Sequence, residues 1–281
     1  MEAYYYLRLI VFFLLTGSAV FVLQWWFQYR KRRMLARIDQ MPFPESYRSV
    51  LFKTPHYGHL SIEEKEKIER SILRFIHMKE FIGVKMRVTD EIKVIIAFYA
   101  CLLLLHIETE NCYDNLRTVI IYPSPVVIDS IRNNGGIFTK EDFVIDGQSA
   151  NDTVVLVWHD AKHEAFHLRH ENVIIHEFAH EIDFMDGEVD GVPPLERSKY
   201  HAWTEVLYRD FKKLSHVLET ERDWGKYKLL GSYAATNEAE FFAVVSERFF
   251  ESPHSLKHHF PELYAQLKAF YKVDPANWVQ K

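Results

Sequence analysis

Cysteine is nearly absent. Cys101 and Cys112 are the only two in 281 residues, which excludes a disulfide framework. Cys101 lies in the apolar run Val94–Leu105, where a free thiol behaves as a small hydrophobe, and both thiols are expected to be reduced. Glycine and proline are also scarce, ten of each, so collagen-like and low-complexity architectures are excluded. No internal period suggests a solenoid or propeller. Positive charge is missing from most of the chain. The formal net charge is −5, yet Arg30–Arg37 alone carries five positive charges and no negative one, leaving −10 for the remainder. An acidic body repels phosphate backbones, so no nucleic-acid partner is expected. Beyond the N-terminus long apolar runs are lacking as well. Val94–Leu105 has only twelve residues and reads as a buried core helix.

What the N-terminus does have is nineteen consecutive uncharged residues, Leu9–Phe27. At 1.5 Å per residue such a helix just crosses a hydrocarbon core of roughly 30 Å. Tyr4–Tyr6 precede it and Trp25 and Trp26 close it, where interfacial aromatics belong. The basic cluster follows the run, so the expectation is a single-pass cell-membrane protein, N-terminus outside and the remainder cytoplasmic. A cleaved signal peptide would carry its positive charge before the apolar core and small residues after it. Here the order is reversed. The expected organisation is a membrane anchor over residues 1–29, a basic exit and linker over 30–60 broken by Pro42 and Pro44, and one catalytic domain over 61–281.

Within that domain Ser61 followed by Glu64 is a capping-box signature opening a helix with apolar Ile62, Ile68, Ile72 and Phe75. A second helix is predicted over Asp90–His106. Thr118–Asp129, rich in β-branched residues and interrupted by two prolines, predicts an edge-like strand pair with a turn. Thr153–Trp158 predicts another strand. Further helices are predicted around Ile174–Met185, Tyr200–Leu218, Glu238–Glu251 and Pro261–Val273. Helices dominate beside a small sheet, an α+β class.

The chemistry centres on His176-Glu177-Phe178-Ala179-His180. Residues i and i+4 share one helix face, so two imidazoles converge on one point with Glu177 beside the first. That is the arrangement for a hydrolytic zinc, which takes three protein ligands and keeps one position open; a nearby carboxylate then serves as general base. Asn172 can cap the helix and Gly187 can end it, while Glu181, directly after the second histidine, is expected to face solvent. The third ligand must come from elsewhere. Glu240 opens an otherwise apolar helix, a poor place for a carboxylate without a partner, although an acid in a first turn also suits the helix dipole behind an Asn237 cap. Glu247, two turns on, is a candidate to orient a histidine ligand. His159, His163, His167 and His170 recur at helical spacing and could form a second metal site, although their charged neighbours suggest a solvated segment.

The blocks VIIHEFAHEID with DG and VPPL, then YAATNEAEFFAVVSERFFESP, then FPELYAQLKAFYKVDP, together resemble the MtfA (Mlc titration factor A) family of zinc peptidases over roughly Ser61–Pro275. The anthrax lethal factor catalytic domain is a more distant relative. The resemblance implies a zincin-like metallopeptidase domain, a peptide or protein substrate, and one Zn2+ held by His176, His180 and Glu240. It also implies Glu177 as catalytic base and Tyr233 near the metal, able to donate to an oxyanion. Asp146-Gly147-Gln148-Ser149 resembles the segment beside the family's active-site cleft. Recognition of the repressor Mlc is not implied. The rival expectation is a regulatory module that keeps the peptidase scaffold but docks a partner at the membrane; the intact histidines and carboxylates favour the enzyme.

Overall fold

A computed structural model of the chain describes residues 2–107, 112–124, 152–168, 171–220 and 224–278, except for the side chains of 2–4, 7 and 9–11. The segment with Asp146-Gly147-Gln148-Ser149 lies outside the described residues, as does His170. The chain divides into two units, Met1–Pro42 and Phe43–Lys281.

The first unit is one helix, α1 (Glu2–Asp39). Among the described residues no helix is long and apolar enough to cross a membrane. The sequence-based expectation of a transmembrane anchor, with the N-terminus outside and a cytoplasmic catalytic domain, is corrected accordingly. The physical reason lies in the make-up of α1. Arg8 precedes its uncharged stretch, which is diluted by Thr16, Gly17, Ser18 and Gln24 before the basic stretch from Arg30 begins. The Thr16 and Ser18 hydroxyls turn back onto the carbonyls of Phe12 and Leu15.

The second unit is mostly helical with one small sheet, in keeping with a zincin-like α+β domain. Residues expected to be linker instead form α2 (Glu45–Leu51) and α3 (Pro55–His59), because Leu51 and Tyr57 are buried hydrophobic anchors. Helix α4 (Ile62–Met78) starts on the expected capping box: Ser61 Oγ accepts from Glu64 N–H, and the Glu64 carboxylate accepts from Ser61 N–H. After strand β1 (Glu80–Gly83), Thr89 caps α5 (Asp90–Leu103), which is buried from Val94 to its end as its apolar composition requires. Strands β2 (Thr118–Tyr122) and β3 (Thr153–Val157) complete a sheet of order β1-β2-β3.

Both strand pairings are parallel, with Phe81 opposite Val119 and Val119 opposite Val154. The edge-like strand pair expected over Thr118–Asp129 is therefore a central strand over its first part, and residues 125–129 lie outside those described. Pro123 follows the last paired residue, so it removes no ladder hydrogen bond.

Helices α6 (Trp158–Phe166), α7 (Val173–Asp183), α8 (Tyr200–Glu219), α9 (Glu238–Glu251), α10 (Pro253–His259) and α11 (Pro261–Tyr271) follow. Helix α9 is the spine of the core, with every residue from Ala239 to Glu251 buried, and α7 packs along it. A helix buried on all sides is held by packing on every face. On the far face of α7, Phe178 is fully buried, with its ring edge-on to Phe75 at 5.7 Å and Tyr113 at 5.0 Å. The Tyr113 turn is itself fixed by the Lys79 ammonium, which donates to the carbonyls of Tyr113 and Leu116. Removing the Phe178 ring should cost about 3–5 kcal/mol through lost burial and a residual cavity. Urea unfolding of Phe178→Ala beside wild type checks this; a loss below about 1 kcal/mol would show that the site collapses around the gap.

Candidate metal centre

Helix α7 begins at Asn172, whose side-chain oxygen accepts from Ile175 N–H at 3.2 Å. The cap compensates for β-branched Val173, Ile174 and Ile175, poor helix formers that the core nevertheless selects. After Asp183 one 3-10 turn, Phe184–Asp186, leads to Gly187 at φ +98°, a left-handed conformation suited to glycine. Helix α9 begins at Asn237, which accepts from Glu240 N–H at 2.8 Å. The cap places Glu240 in the first turn, where the helix dipole favours an acid.

The two helices bring three atoms together. His176 Nε2 lies 3.2 Å from His180 Nε2 and 3.1 Å from Glu240 Oε2, and His180 Nε2 lies 3.4 Å from the same Glu240 oxygen. His176 and Glu240 are buried and His180 is partly so. Among the described residues no other set of three or more His, Cys, Asp or Glu side chains could hold a metal ion. Three lone-pair-bearing atoms this close repel one another unless a cation lies between them, either protons or a metal. Burial alone would hold His176 neutral. Its hydrogen bonds with Glu240 and Glu247 outweigh burial and push the imidazole well above its ordinary pKa. Burial likewise resists charge on Glu240, and the two histidines reverse this, holding its carboxyl well below the usual range.

Behind the cluster stands a second row of polar groups. Glu247 Oε1 accepts from His176 Nδ1 at 2.6 Å. A carboxylate can only accept here, so the Nδ1 proton points to Glu247, and once Nε2 gives up its proton to a metal its lone pair points into the cluster. Glu247 Oε2 accepts from Asn172 N–H at 3.0 Å, and Asn172 Nδ2 donates to Glu251 Oε1 at 2.8 Å. Glu251 comes within 3.7 Å of the buried His56, whose pKa burial lowers to about 4. The role of Glu251 escaped sequence reasoning, although its place one turn after Glu247 was the available signal. Asn172 was legible as a cap but not as the bridge between two carboxylates.

Tyr233 sits in a 3-10 turn before α9 with its ring 5.9 Å from the His176 ring. Its hydroxyl oxygen is buried without a hydrogen-bond partner among the described residues. Burial, reinforced by Glu240, raises its pKa well above the ordinary value. Glu177 follows His176 on α7 and is half-buried. One expectation fails here. Glu181, expected to face solvent, is buried near Tyr113, because α7 is packed on that side too. The histidine series before the motif forms no metal cluster among the described residues. His159 pairs with Asp160 at 2.9 Å, and the His163 and His167 rings stack at 5.0 Å on the exposed side of α6.

Two imidazoles from one buried helix and a carboxylate from a second, in a helical domain with a small sheet, define a metallopeptidase-type protein. The family model for the glucose-regulated metallo-peptidase M90 matches residues 26–272, and the chain belongs to this family. Relatives include an uncharacterized protein of Synechocystis sp., 33% identical over 89% of this chain and 90% of its own. Mlc titration factor A of Serratia proteamaculans is 32% identical over 69% of this chain and 73% of its own. The same-named protein of Klebsiella pneumoniae subsp. pneumoniae is 30% identical over 79% and 83%. Peptidase membership implies a peptide or protein substrate.

The entry to α7 carries its own titratable group. Glu164 Oε2 accepts from Val173 N–H at 2.7 Å, yet burial raises its carboxyl to about 7, from an ordinary 4.5, with Glu247 adding to the rise. A pKa raised on folding contributes stability fully below 4.5, and the contribution is lost as pH rises through about 7. Glu164→Gln keeps an acceptor for Val173 but cannot ionise. Its stability relative to wild type should therefore improve between pH 4.5 and 8. Urea midpoints of both proteins at the two pH values check this, and a constant difference would contradict it.

Proposed function

We propose that the chain is a zinc-dependent peptidase in which His176, His180 and Glu240 hold one zinc ion, Glu177 is the general base and Tyr233 assists the developing oxyanion. One observation carries the reading: the 3.1, 3.2 and 3.4 Å edges of the triangle of ligand atoms. Tetrahedral zinc with bonds of about 2.0–2.1 Å has ligand–ligand edges of about 3.3 Å. Two nitrogens and one oxygen form a zinc donor set that leaves a fourth position open. The second row, Glu247 behind His176, is the kind of carboxylate–histidine pair that orients zinc ligands.

Zinc, when bound, supplies Lewis acidity, bringing the pKa of a water near 7 and polarising the scissile carbonyl. The side chains handle the protons. Glu177 takes a proton from the attacking water and passes it to the departing amine nitrogen. Tyr233, whose raised pKa keeps its hydroxyl protonated at neutral pH, donates a hydrogen bond to the carbonyl oxygen as that oxygen gains charge. Glu247 keeps His176 in the tautomer whose Nε2 can act as a ligand.

Metal content and peptide cleavage measured on the same preparations test this. The purified chain should hold one zinc, and replacing both histidines with Ala should abolish tight binding. Glu177→Gln should keep the zinc while its rate falls on the order of a hundred- to ten-thousand-fold. Tyr233→Phe should also keep zinc and lose a smaller factor, in kcat more than in KM, because its bond strengthens only as charge develops. Wild-type rates in Glu177→Gln would refute the assigned base. A zinc-bound wild type that cleaves no peptide would favour a partner-docking role for the same scaffold.

A further inference from the structure

The metal ligands come from two helices, and nothing in α7 alone fixes how far Glu240 stands from the histidines. Beside the Glu247 bonds, the loop that leaves α7 ties down the first turn of α9. Asp183, three residues after His180, is fully buried, and its Oδ2 accepts from Gly191 N–H at 2.8 Å. Gly191 O in turn accepts from the Trp203 indole N–H at 3.2 Å, with Trp203 buried on α8. Gly191 adopts φ +78°, and a Cβ there would lie 2.5 Å from the Glu238 carbonyl oxygen and 2.9 Å from its carbon. Glu238 is the first residue of α9 and Glu240 lies two residues on. A bare Gly191 backbone is thus seated against the helix turn that presents the third ligand, tied to the helix end that presents the other two.

We propose that Asp183 and Gly191 are positioning residues of the metal centre, a clamp that sets Glu240 against His176 and His180. The proposal rests on the reading of those three residues as metal ligands. An alanine at Gly191 must either leave the left-handed backbone region or push the first turn of α9 away. Either response displaces Glu240 while leaving both histidines on α7. Asp183→Ala removes the acceptor that holds Gly191, whereas Asp183→Asn retains an oxygen that accepts the same N–H.

The test uses Co2+ as a spectroscopic probe and Zn2+ in competition, on the full chain. Gly191→Ala and Asp183→Ala should bind both metals about 10- to 100-fold more weakly and alter the visible absorption of the cobalt form. Asp183→Asn should keep wild-type affinity and spectrum. In a Glu240→Ala background neither alanine variant should weaken binding further, since the clamp acts through Glu240. If Gly191→Ala does not fold, the Asp183 pair decides. Wild-type affinity and spectrum in Asp183→Ala would overturn the clamp, as would an equal fold-loss in the Glu240→Ala background. A wild-type chain that fails to bind one equivalent of Co2+ would overturn the metal-centre reading itself, and the clamp with it.

Discussion

The close convergence of His176, His180 and Glu240 is the constraint on which the surrounding architecture depends. Three electron-rich atoms within 3.4 Å of one another are costly in a low-dielectric interior unless a cation joins them. The fold keeps the three atoms together by packing the two contributing helices into the core. Helix α9 is buried from Ala239 to Glu251, and the opposite face of α7 is pinned through Phe178. Packing on all sides leaves neither helix free to roll its polar groups away from the cluster.

The polar row behind the ligands follows the same logic. His176 needs a partner for its second nitrogen and finds Glu247. Glu247 needs a further donor and finds Asn172, which must also cap α7 and reach Glu251. A residue that would cap a surface helix for about 1 kcal/mol thereby becomes the junction of a buried network, where an unmet hydrogen bond costs more. Charge in this region is settled locally rather than by solvent, as the shifted carboxyls of Glu164 and Asp183, both near 7, show.

Much of this was legible in the sequence because the signals are local. The histidines four residues apart, the Asn caps at 172 and 237, and the Ser61–Glu64 box each act within one turn. So does the apolar stretch that becomes α5. What stayed hidden depended on contacts distant in sequence. Thr118–Tyr122 reads like any β-branched strand; its central, parallel place follows from pairing with residues near 80 and 153. Glu181 looked solvent-facing by its charge, yet α7 is enclosed on that side. The uncharged N-terminal run with its aromatic and basic flanks suggested a membrane crossing, which the described part of α1 does not bear out. Asp183 and Gly191 lay in the quoted sequence blocks without a role of their own; their importance lies in the approach of Gly191 to Glu238, forty-seven positions further along the chain.

X-ray absorption at the zinc edge, on the full chain loaded with one equivalent of zinc, reads the ligand set itself. Two imidazole nitrogens with carboxylate and water oxygens in the remaining positions, all at about 2.0–2.2 Å, are expected. A sulfur scatterer near 2.3 Å, or an oxygen-only shell without the imidazole pattern, would contradict that ligand set.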